Sequence, residues 1–236
     1  RFHKMFPHKP VFSSEDTSAF MSRGEYTTDQ DKHLVASYDD DAAQWGQTQR
    51  GSWRQISARP FLAGSFAWTG LDYRGEPTPH EWPSAGSFFG IMDLCALPKN
   101  AYWFRQALWL KDRTVVKVMP HWNWAGKEGQ PVKVRVATNA PRVRLVLGGA
   151  VVGEQDVDPF DMATFQVPYA PGRLEAVALK DGAVVGRDEV ETSGAPARLV
   201  LAPDRPALAG DGADAVPVTV SAVDAQGRPV PDANLH

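Results

Sequence analysis

Cysteine is almost absent: the 236 residues include one, Cys95, so no disulfide can form within the chain. Its place in the apolar run Phe88-Phe89-Gly90-Ile91-Met92-Asp93-Leu94-Cys95 predicts a buried small hydrophobe rather than a nucleophile. No apolar run reaches the ~18 residues needed to cross a bilayer. Basic residues are not in excess, and the net charge of −3 argues against a nucleic-acid or anionic-membrane surface. Close-spaced histidine pairs are missing too. His3, His8, His33, His80, His121 and His236 are scattered and there is no Cys cluster, so no metal site is expected. A Gly-x-Ser-x-Gly elbow, a phosphate-cradling loop, a dinucleotide fingerprint and short internal repeats are all lacking. The chain begins at Arg1 without a signal-peptide pattern, and Val230 to His236 stop within a strand-and-turn pattern. Both ends look cut, so a piece of a longer protein is expected and the compartment is left open.

What is present is ordinary for a globular protein: 43% hydrophobic and 22% charged residues. Tryptophan, with eight copies, is plentiful. Exposed indoles stack on sugar rings, whereas most tryptophans simply pack in cores.

The texture changes near residue 112. Before it, short apolar strands alternate with helix-compatible stretches. Lys9 to Glu15 reads as a buried strand with a polar end. Asp40 to Arg59 suits a helix weakened by Gly46 and Gly51. Pro60 to Trp68 reads as a second buried strand, followed by a Gly- and Pro-rich loop from Gly70 to Gly90. Asn100 to Lys111 places Ala101, Phe104, Leu108 and Trp109 at helical spacing, with Pro98 just ahead. This order is that of consecutive βα units in a parallel sheet, and two units cannot close one. After residue 112 the pattern is all β. Thr114–Pro120, Val132–Ala137, Arg142–Leu147 and Leu174–Leu179 are separated by turn signals at Gly148-Gly149, Pro171-Gly172 and Asp181-Gly182. They predict an immunoglobulin-like sandwich over 113–194. Ser193-Gly194-Ala195-Pro196 reads as a linker. Ala197–Leu201, Val216–Val223 and the turn Asp224–Arg228 then start a second module, over 195–236, too short to be complete and expected to be weakly stable.

Glu15, at a strand end, occupies the position of catalytic groups in a βα barrel. A carboxylate there can attack an anomeric carbon and leave again, though many strand-end acids merely cap backbone. Trp68, at the next strand end, either walls a sugar subsite or packs in the core. Asp72 and Glu76, in the following loop, either accept hydrogen bonds from sugar hydroxyls or are solvated charges; His80, Glu81 and Trp82 share that loop. The segment His121-Trp122-Asn123-Trp124 reads as a Trp-anchored interface between the sandwich and the preceding part, with a sugar-binding edge as the alternative.

Several of these segments resemble one family. Lys9-Pro10-Val11-Phe12-Ser13-Ser14-Glu15 with Ser22-Arg23-Gly24-Glu25-Tyr26 resembles the nucleophile segment of glycoside hydrolase family 2, in its multi-domain bacterial β-galactosidase branch. Phe66-Ala67-Trp68-Thr69-Gly70-Leu71-Asp72-Tyr73-Arg74-Gly75-Glu76-Pro77-Thr78-Pro79 resembles the last barrel strand and its loop. Phe89-Gly90-Ile91-Met92-Asp93 and Pro98-Lys99 continue that likeness. Pro120-His121-Trp122-Asn123-Trp124 and Gly194-Ala195-Pro196-Ala197 resemble the starts of successive sandwiches.

The resemblance implies an α/β plus all-β chain: the C-terminal portion of a (β/α)₈ TIM barrel over 1–112, an immunoglobulin-like β-sandwich, and the start of another. It also implies a retaining exo-β-glycosidase with Glu15 as nucleophile, Trp68 as subsite floor beside a non-proline cis peptide, and Asp72 and Glu76 as substrate-binding acids. The acid/base partner would come from an Asn-Glu pair on an earlier strand. No such pair occurs in the sequence, so that residue is expected outside the chain. No cofactor is implied, and the partner is a carbohydrate, with a homo-oligomer open for the complete enzyme. A periplasmic or extracellular setting would suit such an enzyme. Two rivals stand beside this reading. One is a β-glucuronidase or algal-galactan hydrolase of the same family, for which Arg23 and Arg74 are available cations. The other is a non-catalytic carbohydrate-binding fragment.

Overall fold

The computed structural model describes residues 2–233; Arg1, His236 and the end of the second predicted module at 234–236 lie outside the described residues. Among the described residues strand far outweighs helix, and no helix is long and apolar enough to cross a membrane.

After a short helix, α1 (Phe2–Met5), strand β1 (Val11–Thr17) pairs in parallel with β2 (Leu62–Trp68). The connection contains helix α2 (Gln49–Ser57). This helix starts nine residues later than Asp40. Residues 41–47 are committed to backbone bonds along the end of β1: Phe20 N–H to the Asp41 carbonyl (2.9 Å), Ala43 N–H to Ser18 (2.9 Å) and Gln47 N–H to Thr17 (2.6 Å). The helix then begins where capping groups exist. The Thr48 hydroxyl accepts the Gly51 amide, and the Asp39 carboxylate accepts the amides of Gln49 and Arg50. The two parallel strands are not buried as expected. Phe12 is 59% exposed and Phe66 66% exposed, because α2 covers one face of the pair and nothing covers the other among the described residues.

Cys95 is exposed, not buried. Ile91 to Pro98 is a turn wrapped on Asp93 rather than a continued apolar run. The Asp93 carboxylate accepts the amides of Cys95 and Leu97, both at 2.9 Å, and its amide donates to the Leu97 carbonyl. That closure turns Leu94 to Ala96 outward. Helix α3 (Asn100–Trp109) follows, and its apolar stripe of Phe104, Ala107 and Leu108 packs on Val115, Met119, Ala137 and Met162.

Seven strands follow: β3 (Val116–Met119), β4 (Pro131–Thr138), β5 (Arg142–Leu147), β6 (Ala150–Asp156), β7 (Ala163–Pro168), β8 (Arg173–Lys180) and β9 (Ala183–Glu191). They form a three-stranded sheet, β3-β4-β7, facing a four-stranded sheet, β6-β5-β8-β9. Alternate residues of both sheets, among them Val134, Val136, Val143, Leu145, Leu174 and Ala176, fill the space between. The hairpin turns carry positive φ at both central residues, Gly148 and Gly149 (57° and 89°) and Asp181 and Gly182 (51° and 79°), as tight two-residue turns require. Trp122 is fully buried in this core, against Tyr169, with its indole N–H on the Ala170 carbonyl. It therefore anchors the sandwich itself. Within this segment its neighbour His121 meets Tyr26 of the preceding part edge-on, and Tyr38, Asp40 and Arg50 bind Lys133, Arg135 and Asp161 of the sandwich. Beyond Ser193, β10 (Arg198–Pro203) and β11 (Val218–Val223) form an antiparallel hairpin.

Candidate active site

The end of β1 is irregular, and the irregularity decides where its acids point. The pairing with β2 shifts register between Ser13 and Asp16. In a regular strand, residues three apart face opposite ways. Here Ser13 and Asp16 line one hollow with Ser52, Gln55 and Ile56 of α2, so the bulge re-aims the strand. Asp16 is thereby tied inward. Its carboxylate accepts from the hydroxyls of Ser52 (2.9 Å) and Ser65 (2.8 Å) and faces the buried Arg105 guanidinium at 3.5 Å. Arg105 also donates to Gln49 Oε1 at 2.5 Å. Glu15, one residue earlier, is exposed, and its carboxylate has no ion-pair or hydrogen-bond partner among the described residues. It lines a hollow of about 250 Å³ with Thr17, Ser18, Trp45, Gly46 and Gln47.

Thr17 and Ser18 have φ of 78° and 72°, a left-handed conformation costly for a β-branched residue and frequent at functional sites. The Thr17 hydroxyl lies 2.5 Å from the Asp16 carbonyl and 3.0 Å from the Trp68 carbonyl, so its single proton is shared between the ends of two strands that run side by side. The Trp68–Thr69 peptide bond is cis, as the resemblance implied. The Trp68 ring is half-buried and meets Tyr73 edge-on, with centroids 5.7 Å apart. The Tyr73 hydroxyl donates to the Glu76 carboxylate. Burial, that hydrogen bond and the nearby charge of Glu15 push the Tyr73 hydroxyl up to about 12, so it stays a proton donor through the neutral range. Trp68, Tyr73 and Glu76 thus form one cluster, within reach of the charge of Glu15.

Asp72 is placed differently. Its carboxylate is 8% exposed, 2.5 Å from the Lys99 ammonium, and accepts the Gly90 amide at 2.8 Å and the Ser87 hydroxyl at 3.2 Å. Lys99 also donates to the Met21 carbonyl at 2.8 Å. Asp72 therefore faces the interior and fastens the loop that carries Tyr73 and Glu76 to the segment after β1.

Several of these residues gave no signal in the sequence. Tyr73 and Lys99 were visible only as members of a longer motif. Asp16 could have been noticed as a second acid directly after Glu15, and Trp45 as a tryptophan followed by glycine in a polar stretch. His33 and His80, far apart in sequence, stack at 4.9 Å, and His33 Nδ1 lies 2.5 Å from the Ser84 hydroxyl.

A free exposed carboxylate beside an indole, a protonated phenol and a second acid can attack an electrophilic carbon and hold hydroxyl groups around it. Comparison with known proteins shows similarity to glycosidases. Residues 129–186 match the model of a domain of unknown function, DUF4982. The chain is 36% identical, over 97% of its length, to 29% of the β-galactosidase BoGH2A of Bacteroides ovatus. It is 28% identical to a β-glucuronidase of Formosa agariphila, over 76% of this chain and 18% of that protein. The crystal structure of a β-glycosidase from Bacteroides vulgatus superposes with a TM-score of 0.86 at 27% identity, covering 97% of this chain and 33% of that one. The chain spans less than a third of the length of these curated relatives.

Proposed function

The chain belongs to glycoside hydrolase family 2, and from that premise we propose that it carries the nucleophile side of a retaining exo-β-glycosidase acting on terminal β-galactosides. The observation that carries this reading is the junction of β1 and β2, where the unpartnered Glu15 carboxylate lies two residues before Thr17, the register partner of Trp68, and its charge acts on Tyr73, which meets the Trp68 ring edge-on.

Parallel sheets are covered on both faces in folded proteins. The uncovered apolar face, with Phe12 and Phe66 edge to face at 6.0 Å, supports reading residues 1–112 as the closing strands of a (β/α)₈ barrel whose other strands belong to the same enzyme. Residues 113–194 are then an immunoglobulin-like sandwich and 195–236 the start of another. In the barrel reading, the C-terminal strand ends form the open, catalytic face.

Glu15 attacks the anomeric carbon from one face of the sugar as the leaving-group oxygen takes a proton from an acid on the other. The glycosyl-enzyme ester is then cleaved by water that the same acid, now a base, deprotonates. That acid/base lies in polypeptide outside this chain, which contains no Asn-Glu pair. Trp68 floors the sugar. Glu76, oriented by Tyr73, accepts from sugar hydroxyls. Asp72 serves substrate binding from behind, by holding the loop. A β-glucuronidase is the second reading, favoured by the Formosa agariphila relative. Arg23 would be a poor carboxylate anchor for it, because its guanidinium is already bound by Asp93 at 2.5 Å.

The test is Glu15→Gln in the complete enzyme. Turnover of an aryl β-galactoside should fall by at least about 10³-fold, and a denaturing mass spectrum of the wild type reacted with a 2-fluoro galactoside should locate the sugar on Glu15. Full activity of the variant would reject the nucleophile. Faster release of glucuronic acid than of galactose would reject the substrate.

A further inference from the structure

Adjacent residues of a strand point to opposite faces, and the two adjacent acids of β1 are held very differently. The Glu15 carboxylate has no partner among the described residues. The Asp16 carboxylate is held from other elements: by Ser52 of α2 at 2.9 Å, by Ser65 of β2 at 2.8 Å and by Arg105 of α3 at 3.5 Å. The side chains of Asp16 and Arg105 are 5% and 2% exposed. The Arg105 guanidinium also lies over the Trp109 ring, 5.1 Å from its centroid, and donates to Gln49. Asp16 is thus tied to a cation that is itself fixed.

The backbone around the two acids is held as well. The Ser13 hydroxyl donates to the Glu15 carbonyl at 2.6 Å, across the register shift. The Thr17 carbonyl accepts the Gln47 amide at 2.6 Å, and a Cβ on Gly46 would collide with that carbonyl oxygen. The loop therefore lies against the end of β1 as closely as glycine allows. Glu15 sits on a short stretch of chain fixed on both sides, with the Asp16 carboxylate as its buried anchor.

Stability does not explain the anchor. The desolvation of a buried aspartate and arginine largely offsets their attraction. Burial pulls the Arg105 pKa below its ordinary range, against the charges of Asp16 and Asp39, and the buried Nη1 of Arg105 has no hydrogen-bond partner among the described residues. A costly pair held one residue from an exposed carboxylate is explained by what it does for that carboxylate.

Resting on the reading of Glu15 as nucleophile, we propose that Asp16 and Arg105 are positioning residues for its attack: they lock the bulge of β1 so that the Glu15 carboxylate points in one direction. They act through the β1 backbone and do not touch the sugar. A displacement of about 1 Å at the reacting atoms can lower a rate about 10²-fold. Binding of the sugar ring rests instead on Trp68 and Glu76, which belong to another segment. Loosening the anchor therefore slows the covalent step and spares binding.

The experiment measures two constants on the complete enzyme. The rate of covalent trapping by a 2-fluoro galactoside reports attack alone. The affinity for a β-thiogalactoside, which binds without reacting, reports the sugar site. Ser65→Ala removes one hydroxyl tie. Asp16→Asn removes the charge and keeps an acceptor. Asp16→Ala combined with Arg105→Met removes both charges, so that neither is left buried alone. Trapping should slow in that order, by about 10²-fold in the double variant, with thiogalactoside affinity unchanged throughout. Wild-type trapping in the double variant would overturn the inference. So would trapping and affinity falling together, which is what a pair that only supports the fold would give. Should the double variant not fold, Asp16→Asn decides by the same two constants: slower trapping at unchanged affinity is expected, and wild-type trapping overturns the proposal. The mass spectrum of the trapped wild type reports the nucleophile separately. A label away from Glu15 sinks that reading, whereas a label on Glu15 with fast-trapping variants sinks this one alone.

Discussion

The Thr17 hydroxyl lies 3.0 Å from the Trp68 carbonyl oxygen and shares its proton between it and the Asp16 carbonyl at 2.5 Å, at the last residues of two strands whose bulged register sets the direction of Glu15. Thr17 is itself buried, so losing its hydroxyl removes a donor that the Asp16 and Trp68 carbonyls share. Thr17→Val should destabilise the chain by about 1–3 kcal/mol, read as a lower urea midpoint with an unchanged slope. Thr17→Ser, which keeps the hydroxyl, should stay near wild type. A valine variant as stable as wild type would mean that the bond is dispensable.

The Asp72–Lys99 pair makes a sharper prediction, because both side chains are buried. Lys99→Met leaves a carboxylate buried without its cation and should cost roughly 3–5 kcal/mol. Adding Asp72→Asn should recover part of this, since an asparagine there still accepts the Gly90 amide without a buried charge. A double-mutant cycle on urea denaturation checks the coupling, and strictly additive losses would contradict it.

Asp39 gives a pH dependence. Burial raises its carboxyl from the ordinary value to about 6, against the opposing amides of Arg50 and Gln49 and the Arg50 guanidinium. A carboxyl with a raised folded value binds its proton more tightly when folded. Its contribution to stability is therefore fully present below about pH 4 and is lost as pH rises towards about 6. Urea midpoints at half-unit steps should show Asp39→Asn lacking a downward slope that the wild type has in that window. Parallel profiles for the two proteins would refute the assignment.

The β10–β11 hairpin should open independently. Among the described residues its two strands pair only with each other, and Leu201 and Val220 are both more than half exposed. Isolated hairpins are marginal in water. Amide exchange of residues 198–203 and 218–223 should be faster by orders of magnitude than that of β4, β5 and β8, which form the sandwich interior. Equal protection would show that the hairpin is supported by more than its own pairing.

Much of this was legible in the sequence. The period-two alternation of Val132–Ala137 and Leu174–Leu179, with Asp181-Gly182 and Gly148-Gly149 between runs, marks β strands and turns because side-chain direction and turn φ are local properties. The helical stripe of Ala101, Phe104 and Leu108 marks α3 for the same reason. Trp68 ends its strand as the sequence predicts, whereas β1 runs two residues beyond Glu15, to Thr17. What failed was burial. Cys95 sits in an apolar run yet is exposed, because the Asp93 carboxylate closes a turn on the amides that follow it. Asp72 looked like a loop acid yet is buried, because Lys99, twenty-seven positions on, reaches it.

The sequence by itself determined the order of strands and helices, the tight turns, and the ordered motifs that mark the chain's family. These depend on neighbouring residues and on periodicity. Only the tertiary structure decided which acid is free and which is held. A one-residue register shift in β1 turns Asp16 towards Ser52, Ser65 and Arg105 and leaves Glu15 unpartnered. It also decided that Trp45 stands beside Glu15, because Gly46 permits a backbone approach that no other residue would. Both outcomes depend on contacts between residues tens of positions apart, where local pattern carries no information and packing does.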